Sequence, residues 1–313
     1  MVKLGDVINV HYGKALKADQ RVSNGSVHVF GSSGIVGNHD KTLCSYPTII
    51  IGRKGSVGAI TWAPDGGWII DTAYYVEIKD NNKLDLRYLF YILSGIDLTK
   101  KTITTSIPGL NRDDLYDTFI KLPPFEEQKR IVDLLDKAEG IRQKREQAIK
   151  LADDFLRATF ATMYGNPITN PKKWPVHLMG EIIEFKGGNQ PPKSDFIFEP
   201  KQGYIRLVQI RDFKSDKYAT YIPQEKAKRI FEVDDVMIAR YGPPVFQILR
   251  GLSGSYNVAL MKASPKENIR KGFIFYLLQL PEYHDVVVKN SERTAGQTGV
   301  NLELLNKFNV PLP

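Results

Sequence analysis

An internal repeat on either side of a long helical segment constrains this chain more than any other feature. Residues 109–115 align without a gap with residues 299–305, and each stretch runs on to a Leu-Pro pair, at 122–123 and at 312–313. Three earlier pairs of segments match in the same order: 4–8 with 179–183, 49–55 with 236–242, and 88–93 with 273–278. Four matches in one order predict two homologous domains.

Segment 125–164 has a different pattern, with no proline and with Gly140 as its one glycine. Apolar or small residues recur there at alternating spacings of three and four, which indicates a heptad seam. Pro124 before the segment and Gly165 after it are typical of helix ends. The segment therefore predicts one helix, roughly 60 Å long, that needs a second helix to cover its seam. The predicted seam consists of Ile131, Leu134, Leu135, Ala138, Ile141, Ala148 and Phe155.

Short β-branched and aromatic runs alternate with glycine-rich turns in both flanking regions. The runs are 27–30, 48–51 and 73–78 in the first region, and 204–210, 236–240 and 257–261 in the second. Each region also has one apolar helix pattern, near 86–94 and near 271–280. We therefore predict an α+β fold of two homologous mixed α/β domains, 1–123 and 167–313, joined by a long coiled-coil-forming helix within 124–166.

Composition favours a polyanionic partner and excludes several other classes. The chain has 43 basic and 35 acidic residues, a net charge of +8 and a pI near 9.2, which suits nucleic acid. Cys44 is the single cysteine and the five histidines lack ligand spacing, so neither a disulfide framework nor a metal site is predicted. The N-terminus lacks a signal-peptide pattern, and no apolar run approaches the ~20 residues that cross a bilayer. We expect a cytoplasmic protein without membrane contact.

Glycine loops that carry long basic side chains are the best candidates for double-stranded DNA contacts, because the backbone can come close while arginine reaches into a groove. The first choice is a pair of matched loops, with Arg53, Lys54 and Ser56 in one and Arg240 and Tyr241 in the other. The second choice is Lys14 with Lys17, and Lys193 near the start of the second domain. Arg206, within the run 204–210, ranks third.

Two other classes of function stay open at this point. Asp65, Glu77 and Lys79 fit the loose pattern of a metal-dependent nuclease, although Asp65 lies in a turn-like Pro-Asp-Gly-Gly stretch. A coiled-coil scaffold whose domains bind protein would share the helix but would not require the basic loops. DNA binding would weaken steeply with salt, whereas scaffold binding would not. The chain has neither a phosphate-binding Gly-x-x-x-x-Gly-Lys-Ser/Thr motif nor an Asn-Pro-Pro-aromatic methyltransferase motif.

Residues 122–167 resemble the central conserved region of the specificity subunits of Type I restriction–modification systems. The resemblance is carried by Leu-Pro-Pro at 122–124, Glu127-Gln128, Ile131 and the long helix that follows. The Leu-Gly-Asp-Val opening at 4–7, the Gly-Arg-Lys-Gly-Ser loop at 52–56 and the Gly-Leu-Asn turn at 109–111 also agree with it. The resemblance covers the whole chain, most strongly in the central helix.

This resemblance implies two target-recognition domains that each read half of a bipartite DNA sequence, on a helix that docks methyltransferase subunits. It implies no catalytic site and no cofactor of this chain's own, with S-adenosylmethionine, ATP and magnesium on the methyltransferase and restriction subunits. The family has a second conserved helix after the second domain, whereas this sequence stops at Pro313. We therefore expect the seam to pair with a partner helix or with a second copy, giving a homodimer.

Overall fold

A computed structural model describes residues 1–101, 109–242, 244–266, 268–291 and 299–313. The chain forms two compact units, Met1–Glu146 and Gln147–Pro313. Both units contain helices and sheets, and the predicted α+β class is confirmed. The three-part division into 1–123, 124–166 and 167–313 stays a prediction. No helix in the described ranges is long and apolar enough to cross a membrane.

The first unit contains nine strands and three short helices among its described residues, followed by the start of a long helix. The strands are β1 (Val2–Lys3), β2 (Ile8–Tyr12), β3 (Val27–Gly31), β4 (Gly34–His39), β5 (Thr48–Gly52), β6 (Ile60–Ala63), β7 (Trp68–Ile69), β8 (Ala73–Ile78) and β9 (Phe119–Ile120). The helices are α1 (Leu4–Val7), α2 (Leu86–Ser94) and α3 (Arg112–Tyr116), and the long helix is α4 (Phe125–Tyr164).

The main sheet of the first unit has the antiparallel order β2-β8-β5-β6. All five residues of β5 are buried, which explains its uninterrupted apolar run. Helix α2 packs on this core through Leu89 and Leu93, and Asp85 caps its start by accepting a hydrogen bond from the Tyr88 amide. A smaller sheet, β4-β3-β7, and the ribbon β1-β9 complete the unit.

The second unit contains the end of α4, followed by ten strands and four α-helices among its described residues. The strands are β10 (Val176–Leu178), β11 (Ile183–Gly187), β12 (Tyr204–Val208), β13 (Tyr221–Pro223), β14 (Ile230–Phe231), β15 (Val236–Ala239), β16 (Ile248–Leu249), β17 (Gly254–Tyr256), β18 (Leu260–Pro265) and β19 (Asn309–Pro311). The helices are α5 (Met179–Ile182), α6 (Lys271–Leu277), α7 (Pro281–Ser291) and α8 (Leu302–Asn306).

The second unit repeats the topology of the first, as the sequence matches predict. Its main sheet has the order β11-β18-β15-β16, its ribbon is β10-β19, and β12 pairs in parallel with β17 as β3 does with β7. Single contacts repeat as well. The Lys79 ammonium donates to the Gly5 carbonyl at 2.5 Å, and that of Lys266 donates to the Gly180 carbonyl at 2.8 Å. The repeat is therefore structural down to individual hydrogen bonds.

Two local predictions for the second unit were wrong. The run 257–261 is not one strand, because Asn257 forms a turn in which its side chain accepts a hydrogen bond from the Ala259 amide, and β18 starts only at Leu260. The helix expected near 271–280 ends at Leu277, and a second helix, α7, begins at Pro281. Proline suits that first helical position because its ring fixes φ and no amide hydrogen is needed there.

Helix α4 matches its predicted bounds and is anchored at its start by a buried glutamine. The side chain of Gln128 is fully buried. Its amide nitrogen donates to the carbonyls of Lys83 (2.8 Å) and Pro123 (2.9 Å), and its oxygen accepts from the Asp85 amide at 2.9 Å. Arg87 of α2 adds an ion pair to Asp136 at 2.9 Å. The glutamine thus joins the helix to the loop that precedes α2.

Aromatic packing holds the other end of α4 in the second unit. The Phe160 ring lies 5.6 Å from those of Phe273 and Tyr276, and the Tyr164 ring lies 5.4 Å from that of Trp174. The Tyr164 hydroxyl donates to the Pro311 carbonyl at 2.6 Å. Burial raises the pKa of Tyr164 far above its ordinary value, so this phenol stays neutral and remains a donor.

The predicted seam of α4 is exposed over most of its length. Ile131 packs against the core of the first unit, but Leu134, Ile141 and Phe155 are 60%, 54% and 69% exposed. Leu135 is exposed as well, and so are Ala138 and Ala148. The coiled-coil contact that the heptad pattern indicates is therefore not made within the described part of this chain.

Replacing Gln128 with leucine should destabilise the first unit. The change leaves one amide and two carbonyls without partners, and each buried unsatisfied group costs about 1–3 kcal/mol, so we expect a loss of ~3 kcal/mol or more in the free energy of unfolding. Urea denaturation followed by circular dichroism measures it. Gln147→Leu, at an exposed position of the same helix, is the control and should change stability by less than about 0.5 kcal/mol. Equal midpoints for the two variants would contradict the anchoring role.

Candidate nucleic-acid interface

The loop after β5 is fixed on both sides by backbone hydrogen bonds. The amides of Arg53 and Lys54 donate to the Thr72 carbonyl at 2.9 and 3.1 Å, and the Arg53 carbonyl accepts from the Leu110 amide at 2.9 Å. Gly55 adopts a φ of +77°, a conformation that favours glycine. The loop therefore presents its side chains from a rigid backbone at the end of β5, an interior strand of the main sheet.

Arg53 lies against aromatic rings on this edge. Its guanidinium carbon is 5.0 Å from the ring centre of Tyr12 and 5.7 Å from that of Tyr74, within cation–π range. Nη1 donates to the Asp71 carbonyl at 3.3 Å. Burial raises the pKa of Tyr74 to about 12, so its hydroxyl stays protonated and donates to the Leu110 carbonyl at 3.0 Å. These contacts hold the arginine in one orientation.

Arg112 belongs to the same group, although the sequence reasoning missed it. It is the first residue of α3, after Asn111, whose side chain caps the helix by accepting from the Asp113 amide. Its guanidinium carbon lies 5.2 Å from the Tyr12 ring centre and 5.9 Å from that of Tyr116. The sequence does contain a signal for Arg112, since the two repeats differ at this position. Position 302, which matches position 112, is leucine.

The other candidates of the first unit lie around this edge or just beyond it. Lys14, Lys54 and Ser56 are exposed. The Lys14 amide donates to the Ile69 carbonyl at 2.9 Å, which holds Lys14 beside β7. Lys17 is also exposed and precedes a short 3-10 helix, Ala18–Gln20. We name Tyr12, Lys14, Arg53, Lys54 and Arg112 the first basic edge.

The second unit places its matching loop in the same way. Tyr241 bridges to Gly299 as Lys54 bridges to Gly109, and the Val300 amide donates to the Arg240 carbonyl at 3.1 Å. Gly242 has a φ of +87°, like that of Gly55. The structure therefore brings Arg53 and Arg240 to equivalent sites, each on a loop pinned to a Gly-x-Asn turn.

The surroundings of Arg240 differ from those of Arg53. Its guanidinium carbon lies 4.9 Å from the ring centre of its neighbour Tyr241, and its Nε is buried without a hydrogen-bond partner. The position that corresponds to Tyr12 is Gly187, because Tyr12 faces Tyr74 in the β2-β8 register as Gly187 faces Met261 in β11-β18. We name Gly187, Arg240 and Tyr241 the second basic edge.

Two further candidates lie away from the second basic edge. Arg206 is on β12, where its guanidinium is 2.8 Å from Asp216 and 3.9 Å from Asp212, and its side chain is only 18% exposed. Burial raises the pKa of Asp212, an effect that the nearby Arg206 charge opposes. Lys193 is exposed on the 3-10 helix Lys193–Asp195.

The arginines of the basic edges make no ion pairs among the residues that the structure describes. Over the described ranges, none of Arg53, Arg112 and Arg240 forms an ion pair. By contrast, Arg87, Arg142 and Arg206 each pair with a carboxylate. Unpaired guanidiniums on a rigid surface suit an anionic ligand such as a phosphate, or the acceptor edge of a guanine base.

The residues of the nuclease-like pattern serve other purposes. Glu77 lies 2.9 Å from Nε2 of His11. Lys79 donates a hydrogen bond to the Gly5 carbonyl, as its counterpart Lys266 does to the Gly180 carbonyl. The described ranges contain no group of three or more His, Cys, Asp or Glu side chains placed to hold a metal ion. The geometry gives the nuclease interpretation no support.

Comparisons with known proteins agree with this architecture. The family model of the Type I restriction modification DNA specificity domain matches residues 1–151. The chain is 22% identical over 308 residues to the Type I restriction enzyme EcoBI specificity subunit of Escherichia coli, covering 86% of this chain and 64% of that protein. It is 20% identical over 276 residues to the MjaVIII specificity subunit of Methanocaldococcus jannaschii, covering 76% of this chain and 62% of that protein.

A solved structure shares the fold. The Type I restriction–modification system S subunit from M. genitalium superposes with a TM-score of 0.59 at 18% identity, covering 99% of this chain and 83% of that one. Residues 1–151 thus match the Type I restriction modification DNA specificity domain, and the chain is similar to Type I specificity subunits over most of its length. It spans less than two thirds of the length of the curated relatives it matches.

Proposed function

We propose that this chain recognises double-stranded DNA at two half-sites, one for each unit, and has no catalytic site of its own. The observation that carries the proposal is the recurrence of Arg53 and Arg240 at equivalent loop positions, where neither has a carboxylate partner among the described residues. Neither arginine belongs to a hydrophobic core, since each lies in the loop at the end of an interior strand of its main sheet. The net charge of +8 supports the same class of ligand.

The proposed recognition combines base contacts and backbone contacts. An arginine can donate two hydrogen bonds to the O6 and N7 atoms of guanine in the major groove, which distinguishes this base from the others. Lysines beside it neutralise phosphates and set the register without reading sequence. In this proposal, Arg53 and Arg240 read bases, and Lys14, Lys17, Lys54 and Lys193 contact the backbone. Ser56, Tyr241 and Arg206 are secondary candidates.

Catalysis in this proposal belongs to partner subunits. Methyltransferase subunits would dock on α4 and the two units, extrude the target adenine and methylate it with S-adenosylmethionine. ATP and magnesium would serve the restriction subunit. A protein-binding scaffold is the alternative, and the unpaired arginines of both basic edges favour DNA over it.

Removing one arginine should change one half of the recognised sequence. We expect Arg53→Ala to relax or weaken one half-site and Arg240→Ala the other, by about 5- to 100-fold, since a bidentate contact is worth about 1–3 kcal/mol. The measurement is co-expression with a methyltransferase subunit of the same host, followed by sequencing of methylated adenines across the genome. Arg250→Ala, where the guanidinium stacks on Phe275, is the control.

The wild-type result decides between the candidate functions. A bipartite motif with a fixed gap supports two-unit recognition, and a palindromic motif indicates two copies of the chain acting together. Absence of methylation, with binding that salt does not weaken, would support the scaffold instead.

We also propose that the length of α4 sets the gap between the half-sites. Seven helical residues inserted in its exposed stretch 142–148 add two turns, or about 10.5 Å, at ~1.5 Å per residue. With base pairs ~3.4 Å apart, we expect the gap in the methylated motif to grow by about three base pairs while both half-sites stay unchanged. Seven residues appended after Pro313 are the control. An unchanged gap would rule out the helix as a ruler.

The exposed seam of α4 supports a further partner, a helix of a second copy of this chain. Ile141 and Phe155 are apolar and more than half exposed, a pattern typical of a helix surface that packs on another helix. This pairing is our second candidate, beside docking of a methyltransferase subunit on the same helix.

Self-association through the seam can be tested by light scattering of the purified chain. We expect the wild-type mass to be about twice 35.4 kDa and the double variant Ile141→Glu, Phe155→Glu to have the mass of one chain. Lys150→Glu changes the net charge by the same amount at a position that faces away from the seam, so it should leave the dimer intact. A wild-type mass of 35.4 kDa would exclude the homodimer.

A further inference from the structure

We propose that Arg112 binds a backbone phosphate of DNA beside the base-reading Arg53, and that the second unit, with leucine at the matching position 302, lacks this contact. The inference rests on the proposed DNA recognition and adds a residue that the sequence reasoning did not select. It also makes the two basic edges unequal in the number of phosphates they contact.

The positive charges of Arg53 and Arg112 lie close together. Both guanidinium carbons lie within 5.2 Å of the Tyr12 ring centre, so they are within about 10 Å of each other. Two like charges at this distance repel each other, weakly in water and more strongly beside a protein surface of lower dielectric constant. Over the described ranges, neither arginine has an acidic partner. An anion from outside the chain would remove this repulsion.

Arg112 has a hydrogen-bond donor without a partner. Nε of Arg112 is buried and has no hydrogen-bond partner, whereas most buried polar atoms of folded proteins have one. Tyr12 and Tyr116 contact the guanidinium through their rings, and a ring face offers no oxygen acceptor. Because Nε is buried, the Nη atoms of Arg112 are the donors that would contact the oxygens of a phosphate, which arginine can bind in a bidentate manner.

Backbone contacts fix both arginines on the first basic edge. The Leu110 amide donates to the Arg53 carbonyl at 2.9 Å, and Lys54 bridges to Gly109. Only Asn111 separates this junction from Arg112, and its side chain caps α3. A site whose supports are already ordered loses little conformational entropy when it binds.

The second unit provides an internal comparison. It keeps the loop arginine as Arg240 but has Gly187 in place of Tyr12 and Leu302 in place of Arg112. Leu302 packs against the core of the second unit, and the turn and helix around it form as in the first unit. The fold therefore does not require arginine at this position, which argues against a purely structural role for Arg112.

The test is the salt dependence of DNA binding by the full chain. A fluorescent duplex of random sequence serves as the probe, because it reports phosphate contacts without a recognised site. Each phosphate contact contributes about 0.9 to the slope of log affinity against log salt. We expect Arg112→Leu and Arg112→Gln to lower the slope by about 1 and the affinity about tenfold at 0.1 M salt, since one counterion fewer is released.

Two controls separate this contact from loss of structure or of charge. Arg112→Lys keeps the positive charge and should retain the slope. Lys150→Gln removes one charge at an exposed position of α4 that faces away from the seam, and it should also retain the slope. Arg112→Gln keeps most of the side-chain stem against Tyr12, so it reports on the contact even if Arg112→Leu fails to fold. A slope lost in Lys150→Gln as well would show a net-charge effect and would overturn the proposal.

The outcomes also separate this inference from the proposed function. If the wild-type chain shows no salt-dependent DNA binding, the proposed function fails and the inference fails with it. If the wild type binds with a steep slope and both neutral Arg112 variants bind with the same slope, only the Arg112 site is rejected. A changed preference for guanine-rich duplexes at an unchanged slope would mean that Arg112 contacts a base, which also contradicts the phosphate site.

Discussion

One hydrogen bond in each unit, from a backbone amide of the Gly-x-Asn turn to the carbonyl of the loop arginine, supports the proposed recognition surface. In the first unit it joins Arg53 to Leu110, and in the second it joins Arg240 to Val300. Because the backbone of the arginine itself makes the bond, the side chain is free to face outward. Without it, a glycine-rich loop would lose its fixed position and each arginine would have to be ordered on binding, which costs affinity.

The two units share this scaffold but not the environment of the arginine. Tyr12 and Tyr74 restrain Arg53, whereas Arg240 lies against its own neighbour, Tyr241, and beside Gly187. Contacts that hold the fold, such as those of Lys79 and Lys266 with backbone carbonyls, repeat. The exposed Tyr12 and its counterpart Gly187 differ at the end of an edge strand, outside the hydrophobic cores. In the proposed recognition, the related units therefore present different chemistry to two different half-sites.

The sequence predicts the large features of this fold because they arise from periodicity and repetition. The bounds of α4 and α2 match their predicted ranges, and the repeat places Arg53 and Arg240 at equivalent loops. The sequence does not predict contacts between residues that are distant along the chain. Gln128 is found to be an anchor only when its three partners are known, and Arg112 joins the first basic edge only because Tyr12, a hundred residues earlier, lies beside it.

The same reasoning explains why charge alone is a poor guide to function in this chain. Arg87 and Arg206 are as basic as Arg53, yet ion pairs to Asp136 and Asp216 hold them within their own units. A paired guanidinium must give up its carboxylate before it can bind an external anion, and that exchange gains little free energy. Whether an arginine can serve recognition therefore depends on which acidic residues the fold leaves near it, and the fold leaves none paired with the arginines of the two basic edges within the described ranges.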